Sequence, residues 1–455
     1  MKKNIILPVA ALLFFLGSRL FIIHGLDVYW TDVSLYHQAA YLAVKGGYTA
    51  YHDFWFPYPP LTLPLIYLPM YIASEITAYR TCFQYEMFFF DSLTLLYLIL
   101  FLKKRLNLRN SRISAAIIVY SLLGLLLGHL LYDRTDIPIS AALMISFYYF
   151  TLPETSSKPR ILAYLTGLAG ALVKLIPLLL WPVFAITDCF SNNPQDKNSS
   201  ASGNRHLTGA GVKKLLLPVL IMVIPFTVIM LICNHLTFNT EREKGMFVFM
   251  SEHGQRGIQM ESLWASPFMA ADAASIKQKA EIPYPLKTNF GAQHLDNSVI
   301  PSFYLISAKF AGFAALAGIY TAFFICFFRF PDKRPILSDP VWVLTFYTAS
   351  LFFIIASQRV LSPQYMIWPV PVVTALLFAS NKVPRSLFFC VLLLYVFSWL
   401  NFDFGYEKLV QFDPAAVTIL VIRNMFLLIV TGGLFLRLYL SLRENGNWQK
   451  KTSQH

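Results

Sequence analysis

Acidic and aromatic side chains are concentrated directly after the first hydrophobic segment of the chain. Asp27, Asp32 and Asp53 lie there among tyrosine, tryptophan and phenylalanine residues, and the stretch closes on the run Pro57-Tyr58-Pro59-Pro60. An ionised carboxylate can act as a general base that takes a proton from a reacting hydroxyl group. We therefore interpret residues 24–69 as part of a site and not only as a connection between helices.

Asp32 is the carboxylate with the clearest structural context. It precedes apolar residues at positions 36, 39, 40, 43 and 44, and Gly46-Gly47 follow them. This helical spacing predicts a short amphipathic helix that lies on the membrane surface. Asp32 is then an N-cap that binds free backbone amides, or a base that the helix dipole keeps ionised, and the two roles can coexist.

Two later loops carry groups that bind anions. Residues 253–262 include His253 and Arg256, and the guanidinium of an arginine offers a planar donor fork that suits phosphate. The second loop, residues 359–365, begins with Arg359, which in a simpler interpretation only extends to the membrane interface. We expect both loops to lie on the same outer face as Asp32.

Three other charged positions have simpler explanations. Arg134-Thr135-Asp136 stands at a helix boundary, where an exposed turn with a local ion pair is the simpler interpretation. Lys174 interrupts an apolar run, at a cost of about 2.5 to 3.5 kcal/mol on insertion scales, so it lies at a helix end near water or meets an anion. Arg423 lies in the last hydrophobic segment, and we expect it to reach water by snorkelling.

The composition predicts an all-α polytopic membrane protein. Of its 455 residues, 56% are hydrophobic and 13% are charged, and long apolar runs alternate with short basic clusters. A spanning helix needs about 20 mostly apolar residues, and only helices or closed barrels satisfy the backbone in lipid. Since most basic residues fall in loops on one side, the net charge of +13 does not indicate a nucleic-acid partner. The five scattered cysteines indicate neither a disulfide framework nor a metal site.

The distribution of charges predicts about twelve spans in a single domain, 1–455, with both termini in the cytosol. The first outer loop covers residues 24–85. Within it, residues 61–78 contain prolines that interrupt helical hydrogen bonding, so we interpret this segment as interfacial or re-entrant. Residues 188–214 are predicted to form a flexible cytosolic loop, and residues 234–301 a second large outer loop.

Several motifs follow one another along the chain: Asp32-Val33-Ser34-Leu35-Tyr36, Gly46-Gly47-Tyr48, Tyr51-His52-Asp53-Phe54, Tyr58-Pro59-Pro60-Leu61, Arg256-Gly257-Ile258-Gln259-Met260-Glu261-Ser262 and Val360-Leu361-Ser362-Pro363-Gln364-Tyr365-Met366-Ile367-Trp368. Together they resemble the integral-membrane GT-C glycosyltransferases, and among these the prokaryotic branch that uses polyprenyl-phosphate mannose. The resemblance covers most of the chain. It implies a GT-C-like helical bundle with interfacial helices in the first outer loop.

The resemblance also implies a reaction. An inverting glycosyltransferase of this kind moves a hexose, mannose in this branch, from a polyprenyl phosphate to a hydroxyl of a lipid or glycan acceptor. The transfer would occur on the outer face of a plasma membrane, without a metal or another cofactor, in a protein surrounded by membrane lipids. Asp32 matches the catalytic base of the family. The other expected site residues are His253, Arg256 and Arg359 for the donor phosphate, and Tyr36, Asp53, Tyr58, Gln259, Glu261, Gln364 and Tyr365 for the substrates.

Two other functions remain open from the residues themselves. A multi-pass transporter or flippase for a lipid-linked or anionic substrate would place charges near the bilayer midplane, in interrupted helices of matching halves. Lys174 is the main candidate for such a charge, and no repeat is evident. The third possibility is a scaffold that binds lipid-linked sugars without turnover. Within the glycosyltransferase interpretation, Asp53 either binds the acceptor or braces the turn at Tyr58.

Overall fold

The structure is a computed structural model that describes residues 3–26, 32–153, 157–190, 216–239, 245–248, 254–289, 291–329, 339–379 and 384–452. His253 and Asp27 lie outside these ranges, as does most of the loop predicted to be flexible and cytosolic.

The described chain is mostly helical, as the composition predicts. Its helices are α1 (Lys3–His24), α2 (Asp32–Val44), α3 (Thr62–Ile72), α4 (Ile76–Leu100), α5 (Asn110–Leu125), α6 (Ile137–Phe150), α7 (Lys158–Ala171), α8 (Ile176–Phe190), α9 (Ile224–Thr237), α10 (Ser266–Lys277), α11 (Ser302–Arg329), α12 (Pro340–Ser357), α13 (Val370–Ala379), α14 (Arg385–Trp399), α15 (Tyr406–Val410) and α16 (Pro414–Thr452). Strands β1 (Leu286–Asn289) and β2 (Ala292–Leu295) form an antiparallel hairpin in which Lys287 is opposite His294.

Seven described helical segments are long and apolar enough to cross a membrane. They overlap α1, α4, α9, α11, α12, α14 and α16. Each remaining predicted span coincides with a shorter helix, such as α5 or α6. The protein is therefore a multi-pass membrane protein, whereas the total of about twelve spans and the cytosolic position of the termini stay predictions.

Residues 61–78, the part of the first outer loop predicted to be interfacial or re-entrant, lie in two helices. α3 ends at Ile72, and a separate helix, α4, begins at Ile76. Glu75 starts α4 by accepting hydrogen bonds from the backbone amides of Thr77 (3.0 Å) and Ala78 (2.9 Å), which satisfies free donors of the first turn. The first outer loop was predicted to extend to residue 85, whereas in the structure α4 already begins at Ile76.

The polar residues of the first turns of α4 explain this difference. Arg80, Gln84 and Asp91 interrupt the apolar pattern in the sequence, yet all three side chains are buried inside the bundle. Asp91 accepts a hydrogen bond from Nε of Arg19 in α1 at 2.7 Å, and Arg19 also donates to the carbonyl oxygen of Ser121 in α5 at 2.9 Å. Buried charges of this kind are tolerated because each finds a partner in a neighbouring helix.

The long apolar run between residues 161 and 187 is divided, as predicted, near Lys174. α7 ends at Ala171 and α8 begins at Ile176. Residues 61 and 62 of the first outer loop are bonded to the turn between these helices. The amide of Leu61 donates to the carbonyl of Leu172 at 3.0 Å, and the hydroxyl of Thr62 donates to the carbonyl of Val173 at 3.0 Å.

The second outer loop, for which no helix or strand was predicted, contains α10 and the hairpin. These elements pack against α15 and the start of α16 in a second hydrophobic cluster, which includes Ile258, Met269, Leu295, Leu409 and Leu420. Residues 258–260 pair with the edge of β2 that does not face β1. The amide of Met260 donates to the carbonyl of Gln293 (3.1 Å), and the amide of Leu295 donates to the carbonyl of Ile258 (2.9 Å). The loop therefore forms a hydrophobic core of its own together with α15 and the start of α16.

Candidate functional site

Asp32 lies at the start of α2 and contacts two other segments of the chain. Its carboxylate forms an ion pair with the guanidinium of Arg134, and it accepts a hydrogen bond from the hydroxyl of Tyr58 at 3.2 Å. The predicted helix is present, and Tyr36, Ala39 and Ala40 of its apolar face are buried in the protein. The Asp32 side chain is 29% exposed, so it is held by partners and is still accessible from solvent.

Arg134-Thr135-Asp136 is not an exposed turn, and that interpretation is wrong. Thr135 and Asp136 are fully buried, and the Arg134 side chain is only 13% exposed. The ion pairs are not local either, because Arg134 contacts Asp32 and Asp136 contacts Lys174. The segment between α5 and α6, residues 126–136, thus connects the first loop with the turn between α7 and α8.

Lys174 meets an anion at the end of a helix, which combines the two explanations considered for it. Its ammonium donates to both carboxylate oxygens of Asp136 at 2.7 Å, and the indole of Trp368 donates to the same carboxylate at 2.7 Å. Asp136 is fully buried, whereas Lys174 is 13% exposed. Burial lowers the pKa of Lys174, and the charge of Asp136 acts in the opposite direction.

Tyr58 lies between the two ion pairs. Its hydroxyl donates to Asp32, and the centroid of its ring is 5.4 Å from the ammonium of Lys174. Tyr36 donates to the Tyr58 hydroxyl at 3.4 Å, and the hydroxyl of Tyr51 donates to the Tyr58 carbonyl at 2.6 Å. Tyr58 therefore has a fixed position, and Tyr36, which is completely buried, supports it from inside.

Arg256 brings a third positive charge to this group. Burial raises the pKa of the Tyr58 hydroxyl well above its ordinary value, and the charge of Arg256 opposes that rise. The charges of Arg134 and Arg256 both add to the lowering of the Lys174 pKa. Because such effects weaken with distance, Arg134 and Arg256 both lie near Lys174 and its partner Asp136.

The loops that carry Arg256 and Arg359 are bonded to each other. The amide of Gln259 donates to the carbonyl of Arg359 at 2.9 Å, and the guanidinium of Arg359 donates to the carbonyl of Gly254 at 2.8 Å. Arg359 therefore binds a neighbouring protein loop and does not merely extend to the interface. The two loops predicted to supply positive charge lie side by side.

Glu261 is a buried carboxyl group in the same loop as Arg256. It is 4% exposed, and one of its carboxylate oxygens, Oε2, has no hydrogen-bond partner among the described residues. Burial raises its pKa to about 7, although the charge of Arg423 acts to lower it. Arg423 does not reach water as predicted, since it is 2% exposed and donates to the backbone carbonyl of Glu261 at 3.1 Å.

The other predicted site residues lie in different surroundings. Both carboxylate oxygens of Asp53 bind its own loop, with the Thr49 amide at 2.7 Å and the His52 ring at 2.8 Å. The ring of Tyr365 stacks on that of Trp368 at 4.3 Å. Gln364 is buried and accepts a hydrogen bond from the hydroxyl of Ser362. Asp53 therefore makes local contacts, while Tyr365 stacks on a residue that binds Asp136.

Four residues of this region were not among the predicted site residues: Arg134, Asp136, Lys174 and Trp368. One signal for Lys174 and Asp136 was present, namely that an isolated lysine in an apolar run needs an anionic partner. No spacing rule connects Asp136 with Lys174, because two helices, α6 and α7, separate them along the chain. Among the described residues, no group of three or more histidine, cysteine, aspartate or glutamate side chains has the arrangement of a metal site.

Comparison with known proteins gives a distant structural likeness. No protein-family model and no curated protein sequence matches the chain. The crystal structure of ArnT from Cupriavidus metallidurans bound to undecaprenyl phosphate is similar with a TM-score of 0.46 and 14% identity, over 96% of this chain and 76% of that one. The apo structure of the same protein gives 0.42 and 10%, over 94% and 75%. At TM-scores below 0.5 we draw no functional conclusion from this likeness.

Proposed function

We propose that the protein is an inverting glycosyltransferase that moves a hexose from a polyprenyl phosphate to a hydroxyl of a lipid or glycan acceptor. The observation that carries the proposal is the position of Asp32, a partly exposed carboxylate held by Arg134 and Tyr58 in a region that also contains Lys174 and Arg256. The sequence resemblance to GT-C glycosyltransferases supports the same function.

Asp32 is the better candidate for the base of the two carboxylates in this region. The oxygens of Asp136 already bind Lys174 and Trp368, and Asp136 is fully buried. Asp32 is 29% exposed and can be reached by an acceptor hydroxyl. A neighbouring guanidinium favours the ionised form of a carboxylate, and a general base of this kind contributes about 10² to 10⁴ to the rate.

The cations provide a site for the phosphate that leaves the sugar. Negative charge grows on the phosphate during transfer, and fixed positive groups in a place with little water stabilise it more strongly than water does. We assign this role to Arg256 and Lys174, with Arg134 as the residue that orients Asp32. His253, which lies outside the described residues, and Arg359 complete the proposed phosphate-binding group.

Aromatic and neutral polar residues are proposed to bind the sugar and the acceptor. Tyr58 and Tyr365 offer ring faces, while Tyr36 is buried and would act by supporting Tyr58. We assign the binding of sugar hydroxyls to the remaining polar residues that were predicted to bind the substrates, which are Asp53, Gln259, Glu261 and Gln364. Mannose is the first hexose to test, because the sequence motifs resemble those of the mannose-dependent branch.

The lipid part of the donor explains why the site belongs to a membrane protein. Its tail can stay in the bilayer while the phosphate and sugar enter the polar region near Asp32. We place the reaction on the outer face of the plasma membrane, with both termini in the cytosol. A reporter fused within residues 188–214 tests this orientation, and an outer position of the reporter would contradict it.

Transfer from purified polyprenyl-phosphate sugars to lipid and glycan acceptors, with the protein in lipid nanodiscs, tests the proposed function. We expect a glycosylated product with wild type and almost none with Asp32→Asn. Movement of the lipid-linked sugar across vesicle membranes without any product would instead identify a transporter or flippase. Product formation by Asp32→Asn at the wild-type rate would remove Asp32 as the base.

A further inference from the structure

The segment before Arg134 is attached to α4 by a fully buried carboxylate. Asp133 accepts hydrogen bonds from Nε and Nη2 of Arg80 at 3.0 and 2.9 Å, and from the amide of Gln84 at 2.8 Å. The Asp133 side chain is 0% exposed and that of Arg80 is 8% exposed. A guanidinium that binds both oxygens of a carboxylate fixes direction as well as distance.

Tyr132 makes a second attachment to the same helix. Its hydroxyl donates to Asp91 at 2.7 Å, and Asp91 is itself bound by Arg19. Arg80, Gln84 and Asp91 are separated by whole turns of α4, so they share one buried face of the helix. This face therefore binds two consecutive residues, Tyr132 and Asp133.

The position of Arg134 follows from these attachments. Successive residues are joined by planar peptide units, so the backbone at Arg134 has few free dihedral angles once the two residues before it are fixed. Its guanidinium then reaches Asp32 in the first loop. The contacts form a continuous series from Arg80 through Asp133 and Arg134 to the carboxylate of Asp32.

We propose that Asp133 is a positioning residue which, by binding Arg80 and Gln84, sets the guanidinium of Arg134 against Asp32. The inference rests on the proposed function, because an effect on turnover requires Asp32 to act as the base. A purely stabilising role is the alternative, and a buried ion pair is by itself weak evidence for stability. The two roles differ in one respect. Positioning acts through Arg134, so it disappears when Arg134 is replaced.

A double-mutant cycle measures this dependence. Wild type, Asp133→Asn, Arg134→Gln and the double variant are compared for the kcat of sugar transfer. We expect Asp133→Asn to lower kcat about 10- to 100-fold, because a displacement of about 1 Å can have such an effect. In the Arg134→Gln background, the same change should lower kcat less than about 2-fold. Equal losses in both backgrounds, or full activity of Asp133→Asn, would overturn the inference.

Carbodiimide labelling of Asp32 tests the same relationship without any substrate. A carboxylate released from a guanidinium is protonated more readily and therefore reacts faster with a carbodiimide. At constant pH, we expect Asp133→Asn to raise labelling of Asp32 about 3-fold or more, and the double variant to match Arg134→Gln. Unchanged labelling in Asp133→Asn overturns the inference. If the wild-type protein transfers no sugar but the variants show this labelling pattern, the proposed function fails and the positioning contact stands.

Two further variants separate positioning from folding. The double variant Arg80→Gln with Asp133→Asn replaces the ion pair by two neutral amides. It takes the place of Asp133→Asn in the labelling experiment if that single variant does not fold. It is expected to raise Asp32 labelling in the same way. Asp272→Asn is the matched control, since Asp272 is a fully buried carboxylate in α10 that accepts a hydrogen bond from the Tyr284 amide at 2.9 Å. Increased Asp32 labelling in this control would also overturn the inference.

Discussion

The guanidinium of Arg134 contacts the carboxylate of Asp32, although the two residues belong to segments far apart in the chain. This contact joins the first loop to the segment between α5 and α6. The neighbouring Lys174–Asp136 pair joins that segment to the turn between α7 and α8. Three separate connections between helices therefore meet around Tyr58, and changes in any of them should affect the candidate site.

Replacing Asp32 tests the proposed base directly. Asp32→Asn keeps the size of the side chain and removes the proton acceptor, so we expect kcat to fall about 10²- to 10⁴-fold. Turnover with a purified polyprenyl-phosphate sugar measures the effect. The control is Asp296→Asn, which breaks an ion pair with the exposed Lys287 of the hairpin and should leave kcat unchanged. Equal losses in the two variants would contradict a specific role for Asp32.

Arg256 is predicted to contribute to donor binding. Arg256→Ala removes a donor fork near Tyr58 and Lys174, and we expect the Kd for a polyprenyl phosphate to rise about 10- to 100-fold, since hydrogen bonds to charged groups contribute about 1.5 to 3 kcal/mol. Binding measured by calorimetry in detergent checks this. Lys277→Ala, at an exposed position of α10, should leave the Kd unchanged. An unaltered affinity in Arg256→Ala would exclude Arg256 from the phosphate site.

The Lys174–Asp136 pair should be sensitive to the loss of one partner. Lys174→Met leaves a fully buried carboxylate without its ammonium, which costs about 3 to 5 kcal/mol of folding free energy. Thermal unfolding in detergent should show a clear drop in Tm. Adding Asp136→Asn removes the uncompensated charge and keeps an acceptor for the Trp368 indole. The double variant should therefore regain most of the decrease in Tm that Lys174→Met causes. No recovery would mean that the ion pair is not the source of the loss.

The raised pKa of Glu261 predicts a pH dependence of stability. In the unfolded chain the carboxyl group ionises near its ordinary pKa of 4.5, whereas in the folded protein it stays protonated up to about pH 7. Its contribution to stability is therefore full below pH 4.5 and is lost as the pH rises through 7. The loss is on the order of 3 kcal/mol.

Glu261→Gln keeps a neutral group at this position and removes the titration. The Tm of the variant minus the Tm of wild type should be larger at pH 8 than at pH 5. The same difference at both pH values would show that Glu261 does not titrate in this range. The backbone contact between Arg423 and residue 261 is retained, so the comparison isolates the side chain.

Much of the helical architecture was predictable because the apolar runs in the sequence mark where the helices lie. The break at Lys174 was predicted from a charge in one long apolar run, and α2 from the spacing of apolar residues after Asp32. The start of α4 was placed too late, since Arg80 and Gln84 look like surface residues in sequence. Only the partners supplied by other segments, such as Asp133, make their burial possible.

The candidate site was less accessible to sequence reasoning. Asp32 was identified by its position at a helix start and by the resemblance of its motif. Arg134 and Asp136 were interpreted as an exposed turn, because the short polar run gives no information about distant partners. Ion pairs between segments depend on how the helices pack, and no local spacing rule encodes this.

The bonds from Leu61 and Thr62 to the turn that carries Lys174 have a consequence for protein engineering. Residues 32–62 of the first outer loop are not an independent cassette for exchange with another protein, because residues 61 and 62 are hydrogen-bonded to residues 172 and 173. A chimera that transplants residues 32–62 without the turn loses the Thr62 hydrogen bond unless residue 62 carries a hydroxyl, and it keeps the Leu61 bond only if the two backbones stay in register. Swaps intended to change acceptor preference should therefore transfer the loop and the turn together.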